Sequence, residues 1–307
     1  MKTWLSMCIP VLVILVGCDK QQGSDVRAGT LDVLATESLL PLIQRQAEEY
    51  RHVFSEARVS VRGTTTREAI VHMVNDSVHC IVVDRPLNPE ERTAVRQAGL
   101  RVLETEIARD ALAILIHSSN KTASLSVETL RSIVAGTMTD WHEVPGSKLT
   151  GSIELCFTGR NSGLYELLTQ HFFRLEKDAI PSFVAPSQSS VLEYVAAHPL
   201  ALGVISFAAW KDTTRANDQR FKKYVHVLDA QTRGKEGMEA VKLHQKNIYD
   251  LVYPLTYSLY AYTSEKSPGV GQGFSTFVAG MTGQKIFLDA GLVPKIMPYR
   301  VIQLTQE

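Results

Sequence analysis

Short strand-like apolar runs alternate with helix-patterned stretches along nearly the whole chain, and this alternation restricts the fold more than any other feature of the sequence. Leu31 to Ala35 precedes a helical pattern from Leu40 to Phe54. Arg58 to Arg62 alternates like a strand, and Arg67 to Val74 reads as a helix. Ile81 to Val83 is a short buried strand, followed by a helix over Pro89 to Ala98 that opens with proline and acidic residues. This βαβα rhythm predicts an α/β sheet flanked by helices. Leu112 to His117 is a strong strand where the chain can cross from one lobe to another. A second set follows: a helix from Ser126 to Ala135 with Ser126 as its N-cap, a strand from Ile153 to Phe157, helices over Leu164 to Phe173 and Ser189 to Ala197, and a buried strand from Leu202 to Phe207. Residues 211 to 250 are polar and weakly periodic, an elaboration of the second lobe. Leu255 to Tyr262 reads as a returning strand, and one last helix from Gly273 to Ala290 stops at Gly291, a good C-terminal cap.

The chain has enough apolar material for two cores, with 45% hydrophobic residues in 307. Thirty-two basic residues balance thirty-two acidic ones, which argues against general binding to nucleic acid or to a membrane surface. An anionic ligand would have to be held locally, by a few placed donors.

The first eighteen residues are different in kind. Lys2 precedes an apolar run from Leu5 to Val16, too short to span a bilayer comfortably but suited to a signal-peptide core. The run ends in Leu15-Val16-Gly17-Cys18, which resembles the bacterial lipobox. Residues 1–18 are therefore expected to be a lipoprotein signal peptide, with lipidated (palmitate-bearing) Cys18 anchoring the exported chain to a membrane facing the periplasm or the cell exterior. Residues 19–28 would form a flexible tether. A plain secretory signal is the alternative. In the body only Cys80 and Cys156 remain, both in strand-like runs, and both are read as buried free thiols. His52, His72, His79, His142, His171 and His198 show no ligand pairing, so no metal and no cofactor are expected.

Three segments carry the chemistry. Ala35-Thr36-Glu37-Ser38-Leu39-Leu40, Arg62-Gly63-Thr64-Thr65-Thr66-Arg67 and Thr158-Gly159-Arg160-Asn161-Ser162-Gly163 each leave a strand, turn, and enter a helix. A helix N-terminus exposes unpaired N–H groups and partial positive charge, so three converging turns would hold an anion without net basic charge. Taken singly, each is an ordinary cap. Arg160 could share a ligand with the N–H groups of Ser162 and Gly163. Asp84, after the strand Cys80 to Val83, is either a turn residue pairing with Arg85 or an acceptor for a proton carried by the ligand. The second role would select phosphate over sulfate. Neither Ser38 nor Ser162 sits in a nucleophile elbow, which argues against a hydrolase. Trp141 and the tyrosines at 253, 257, 260 and 262 are read as core and hinge packing.

In order along the chain, Val83-Asp84-Arg85-Pro86-Leu87-Asn88-Pro89-Glu90, Ile107-Ala108-Arg109-Asp110-Ala111-Leu112, Leu130-Arg131-Ser132-Ile133-Val134-Ala135-Gly136, Gly203-Val204-Ile205-Ser206, Tyr253-Pro254-Leu255 and Ala290-Gly291-Leu292-Val293-Pro294 resemble the phosphate-binding subunit of bacterial phosphate ABC transporters. The resemblance covers about Leu31 to Pro294. It implies a type II periplasmic-binding-protein fold: two α/β lobes joined by two crossover strands. Lobe I would run from 29 to 112 and return over 256 to 307, with lobe II from 113 to 255. It implies a monomeric, non-enzymatic binder of inorganic phosphate that serves an inner-membrane ABC permease. By motif, the ligand contacts would be Ser38, Thr64, Thr65, Asp84, Arg160, Ser162 and Gly163. Three departures bear on the ligand. Glu37 stands where the family has a ligand-binding threonine, Thr64-Thr65-Thr66-Arg67 replaces a glycine-rich turn, and Leu164 takes a hydroxyl position. Glu37 and Arg67 are therefore possible additional contacts. Another oxyanion, or a non-transport interaction role on the same fold, is the alternative.

Overall fold

The structure is a computed structural model. It describes residues 25–159, 162–176, 180–215, 219–233, 237–265 and 268–298; the leader with Cys18, and Arg160 with Asn161, lie outside the described residues. The first stretch comprises β1 (Gly29–Thr36), α1 (Leu40–Val53), β2 (Ala57–Thr64), α2 (Thr66–Val74), β3 (Cys80–Val83), α3 (Pro89–Gln97) and β4 (Leu103–His117). The middle holds β5 (Ser124–Ser126), α4 (Val127–Val134), β6 (Glu154–Phe157), α5 (Gly163–Glu166), β7 (Phe183–Val184), α6 (Gln188–Ala197) and β8 (Ala201–Ser206). The remainder is α7 (Phe207–Arg215), α8 (Gln219–Tyr224), β9 (Val225–Val227), β10 (Asp229–Arg233), β11 (Met238–Val241), α9 (Gln245–Tyr249), β12 (Thr256–Thr263), α10 (Val270–Ala279), α11 (Met281–Asp289) and β13 (Val293–Pro294).

The main sheet runs β2-β1-β3-β12-β4-β8-β6-β7, with β9 and β13 also pairing on β4. Pairs β1/β2, β1/β3, β6/β8 and β6/β7 are parallel, while β12 is antiparallel to both β3 and β4. The long strand β4 joins the two halves: its residues from Leu103 to Ala111 pair with β12, and those from Leu112 to Ile116 pair with β8. This is a mixed α/β fold of two lobes. β3 and β8 are buried along their whole length, as strands covered on both faces should be.

Three elements depart from the sequence expectation. β4 begins at Leu103, nine residues before Leu112, because Leu103 to Thr105 are exposed or half-buried and give no apolar run. The last helix is two helices broken at Gly280, which ends α10 and begins α11. At that corner a Cβ on Gly283 would lie 2.5 Å from the Phe277 carbonyl oxygen, so only glycine fits without a shift. Residues 211 to 250 contain real elements, including the antiparallel pair β10/β11 that packs beside β5.

The aromatics pack the core and the crossing strands. Trp141 is fully buried and its indole N–H donates to the Leu200 carbonyl (2.9 Å). Tyr253 donates to the Leu112 carbonyl (2.9 Å), and Tyr257 donates to Asp110 Oδ2 (3.2 Å) between β12 and β4. Cys80 and Cys156 are buried free thiols. No described helix is long and apolar enough to cross a membrane.

Candidate functional site

In parallel α/β units, strands deliver the chain to one edge and helices leave from it, so a crevice forms where helix N-termini gather. Here the turns β1–α1, β2–α2, β6–α5 and β7–α6 line one cleft of about 690 Å³. Of the residues singled out by sequence, Glu37, Ser38, Thr64, Thr65, Ser162 and Gly163 all lie on its wall.

Helix α1 brings an N-terminus without a side-chain cap. Its N-cap residue is Leu39, Pro41 occupies the first turn, and no side chain accepts from the leading N–H groups. Ser38 sits immediately before it, its Oγ 3.4 Å from Thr36 Oγ1. A fourteen-residue helix ending this way has donors and dipole to offer an anion.

The other termini are capped in a way that leaves protons available. Ser162 Oγ accepts from the Tyr165 N–H (3.3 Å), so its own O–H can still donate. Helix α5 continues directly into a π-helical segment, Leu167–Phe172. Thr65 Oγ1 accepts from the Glu68 N–H (3.2 Å) within a capping box and is likewise able to donate. Thr64 differs: its hydroxyl donates to Glu68 Oε2 (2.6 Å), so its proton is engaged inside the loop.

A fourth turn was not anticipated from the sequence. Pro186 to Ser189 also lines the cleft, with Ser187 accepting from the Ser190 N–H to cap α6. Its signal was present as Pro186-Ser187-Gln188-Ser189 ahead of a helical pattern, the same strand–hydroxyl–helix grammar as the other three.

Asp84 lies one layer behind the cleft wall. Its carboxylate is fully buried; Oδ1 accepts from Thr66 Oγ1 (2.7 Å), and Oδ2 has no hydrogen-bond partner among the described residues. A Cβ placed on Gly163 would stand 2.1 Å from that Oδ2, so Asp84 presses directly against the α5 N-terminus from the opposite lobe. Burial pushes the Asp84 carboxyl up to about 6, against the Thr66 hydrogen bond that favours its charge. Thr66 was not singled out by sequence; it is the first residue of α2 and is wholly buried. Behind Asp84 lies a smaller cavity of about 170 Å³.

Asp84 does not pair with Arg85. The Arg85 guanidinium instead grips both Glu91 carboxylate oxygens (2.8 and 2.9 Å) and Glu166 Oε1 (2.8 Å), tying the loop after β3 to the end of α5. Arg67 is not among the described residues lining the cleft. It is 77% exposed and its nearest carboxylate is Glu166 at 3.9 Å, so it does not neutralise Glu37. Partial desolvation of an otherwise exposed side chain, and then the Glu68 charge, raise the Glu37 carboxyl above its usual value. Leu164 is buried and its side chain borders the cleft.

The Gly163–Asp84 contact makes a sharp expectation. Gly163→Ala forces the lobes apart or displaces a buried carboxylate, an overpacking cost of about 1–3 kcal/mol. Ligand affinity, read by calorimetry, should fall on the order of tenfold or more, and unchanged affinity would show that the two lobes need not meet at this point.

No group of three or more His, Cys, Asp or Glu residues suited to a metal ion occurs among the described residues. The fold is the two-lobed α/β architecture of periplasmic binding proteins, with a cleft between the lobes. Residues 20–281 match the family model of the PBP superfamily domain, and the chain belongs to that superfamily. Protein SphX of Synechococcus elongatus is 21% identical over 94% of this chain and 84% of its own length. The phosphate-binding protein PstS of Staphylococcus saprophyticus is 22% identical over 91% of this chain and 85% of its own length. Among solved structures, an ABC-type phosphate transport receptor from Vibrio cholerae superposes with a TM-score of 0.69 at 18% identity, covering 87% of this chain and all of that one. A substrate-binding protein assigned to a phosphate ABC transporter of Clostridium perfringens, with bound phosphate, gives 0.70 at 20% identity, over 87% of this chain and 99% of that one.

Proposed function

We propose that this chain is an exported, lipid-anchored solute-binding protein that captures a phosphate oxyanion in the interlobe cleft and delivers it to an inner-membrane ABC permease. The observation that carries this reading is the convergence of the uncapped α1 N-terminus and the hydroxyls of Ser38, Thr65 and Ser162 on one cleft. These are oriented donors of the kind that hold an oxyanion without net charge. In this reading Asp84, which sits behind Gly163 and outside the cleft lining, becomes the acceptor for a proton that hydrogen phosphate carries and sulfate lacks once Gly163 shifts on binding. The names borne by the relatives point the same way. We take the lobe boundaries as lying near residues 112/113 and 255/256, a reading supported by β4 pairing with β12 up to Ala111 and with β8 from Leu112. Closure would then be a hinge motion that both sets of donors stabilise.

Calorimetry with phosphate, sulfate, molybdate and tungstate tests the proposal. Phosphate should bind once per chain and more tightly than sulfate, and Ser162→Ala should weaken it about tenfold or more, the loss of a hydrogen bond to a charged group. No heat with any of the four ions would end the oxyanion reading.

A further inference from the structure

The cleft is roomier than a bare inorganic ion needs, and its described lining is acidic. Its lobes already meet at Asp84 and Gly163 and at Arg85 and Glu166, yet about 690 Å³ remains between them. That is space for roughly twenty waters at about 30 Å³ each, and it falls in the range of sites that take organic molecules. A tetrahedral oxyanion fills only a small part of it.

Part of the wall beside the hydroxyls is apolar. Leu42, Leu164 and Leu192 are buried and border the cleft, together with Ala208 and Ala209 at the start of α7. A hydrated ion gains nothing from such a surface, whereas a methylene arm leaves water by lying on it. Charge adds a second constraint. Among the described lining residues, the carboxylates of Glu37, Glu48 and Asp212 outnumber the one cation, Arg45. Glu37 directly precedes Ser38 at the oxyanion end, and no described residue forms an ion pair with it. A dianion held by Ser38 alone would sit beside a carboxylate that no described cation pairs with, at a cost that a cation on the ligand removes.

We propose that the cleft also takes phosphonates or phosphate monoesters whose short arm ends in an ammonium group, with the oxyanion on the Ser38, Thr65 and Ser162 donors, the arm along Leu164, and the ammonium on Glu37. This rests on the oxyanion reading above and extends it to a substituted ligand. The three parts of such a ligand match three features that line the same cleft: hydroxyl and helix N-terminal donors, aliphatic side chains and a carboxylate.

The test is calorimetry on the purified mature chain with three probes: inorganic phosphate, ethylphosphonate and 2-aminoethylphosphonate, each against wild type and Glu37→Gln. We expect 2-aminoethylphosphonate to bind wild type at least tenfold more tightly than ethylphosphonate. Glu37→Gln should weaken 2-aminoethylphosphonate by about tenfold while strengthening inorganic phosphate, so the two ligands respond with opposite signs. If phosphate binds and 2-aminoethylphosphonate does not, the extension fails and the oxyanion reading stands. If Glu37→Gln weakens both ligands alike, Glu37 serves the loop or the oxyanion itself and the ammonium role is overturned. If none of the three binds, both readings fall together.

Discussion

Replacing Arg85 with methionine should cost about 3–5 kcal/mol of folding stability, the penalty for removing one partner of a buried ion-pair cluster. The guanidinium is 7% exposed, and the two carboxylates that hold it, Glu91 and Glu166, are each 16% exposed. Glu91 also accepts from the Asn88 N–H, closing the capping box of α3, so losing Arg85 leaves a carboxylate that must stay in place to satisfy that helix start. Glu166 caries the same cluster across to α5, whose first residues line the cleft. Glu166→Gln is milder, roughly 1–3 kcal/mol, because Arg85 keeps both oxygens of Glu91. The pair of variants separates local from interlobe effects. Urea unfolding should rank Arg85→Met well below Glu166→Gln in stability, while small-angle scattering should show Glu166→Gln expanding toward an open form. Equal midpoints for wild type and Arg85→Met would mean that solvent already screens the cluster.

Much of the fold could be read from periodicity because most strands and helices are buried in the ordinary way. The buried runs of β3 and β8 stand out as unbroken apolar stretches, and α2, α3 and α4 open on Thr65, Asn88 and Ser126, side chains that cap in the structure as their type suggests. Where burial is sparse the pattern weakens. β11 has three exposed residues of four, and the start of β4 is acidic, so neither announces itself. The break at Gly280 was hidden because the apolar spacing runs through both helices, and a glycine inside such a stretch is tolerated often enough to be passed over.

At the site, sequence grammar located the turns but not the direction of each hydroxyl. Thr64, Thr65 and Thr66 are chemically alike and adjacent, yet each does something different. Thr64 donates to Glu68, Thr65 caps α2, and Thr66 reaches the buried Asp84. The capping-box spacing from Thr65 to Glu68 is visible in the chain, but the contact between Thr66 and Asp84 spans eighteen residues and depends on β1 lying beside β3. Arg67 shows the same limit from the other side: its charge is plain in the sequence, and only the helix phase shows that it faces Glu166 rather than Glu37.

Asp84→Asn should make the protein more stable at pH 8 and less able to bind phosphate. An acid whose folded-state value is raised holds its proton in the native state at pH values where the unfolded chain has lost it. Between 3.8 and about 6 the native state therefore binds more protons than the unfolded one, and stability falls as pH rises through that window. The full cost, present above about pH 6, is on the order of 3 kcal/mol at about 1.4 kcal/mol per pKa unit. Asparagine has no charge to bury, keeps an oxygen for Thr66, and should recover most of that cost; the gain should shrink toward zero near pH 4. Asp110, raised to about 7 by burial, slopes in the same direction, so the difference between wild type and variant is the quantity that isolates Asp84. Urea midpoints at pH 4 and pH 8 measure it. In binding, the variant should lose preference for phosphate over sulfate, since the acceptor for the ligand's proton is gone. A variant that gains no stability at pH 8 would show Asp84 to be compensated in the native protein, and one that keeps its preference for phosphate would remove Asp84 from ligand selection altogether. Gaining stability while losing discrimination is the pattern expected when a buried carboxylate is kept for its ligand rather than for the fold.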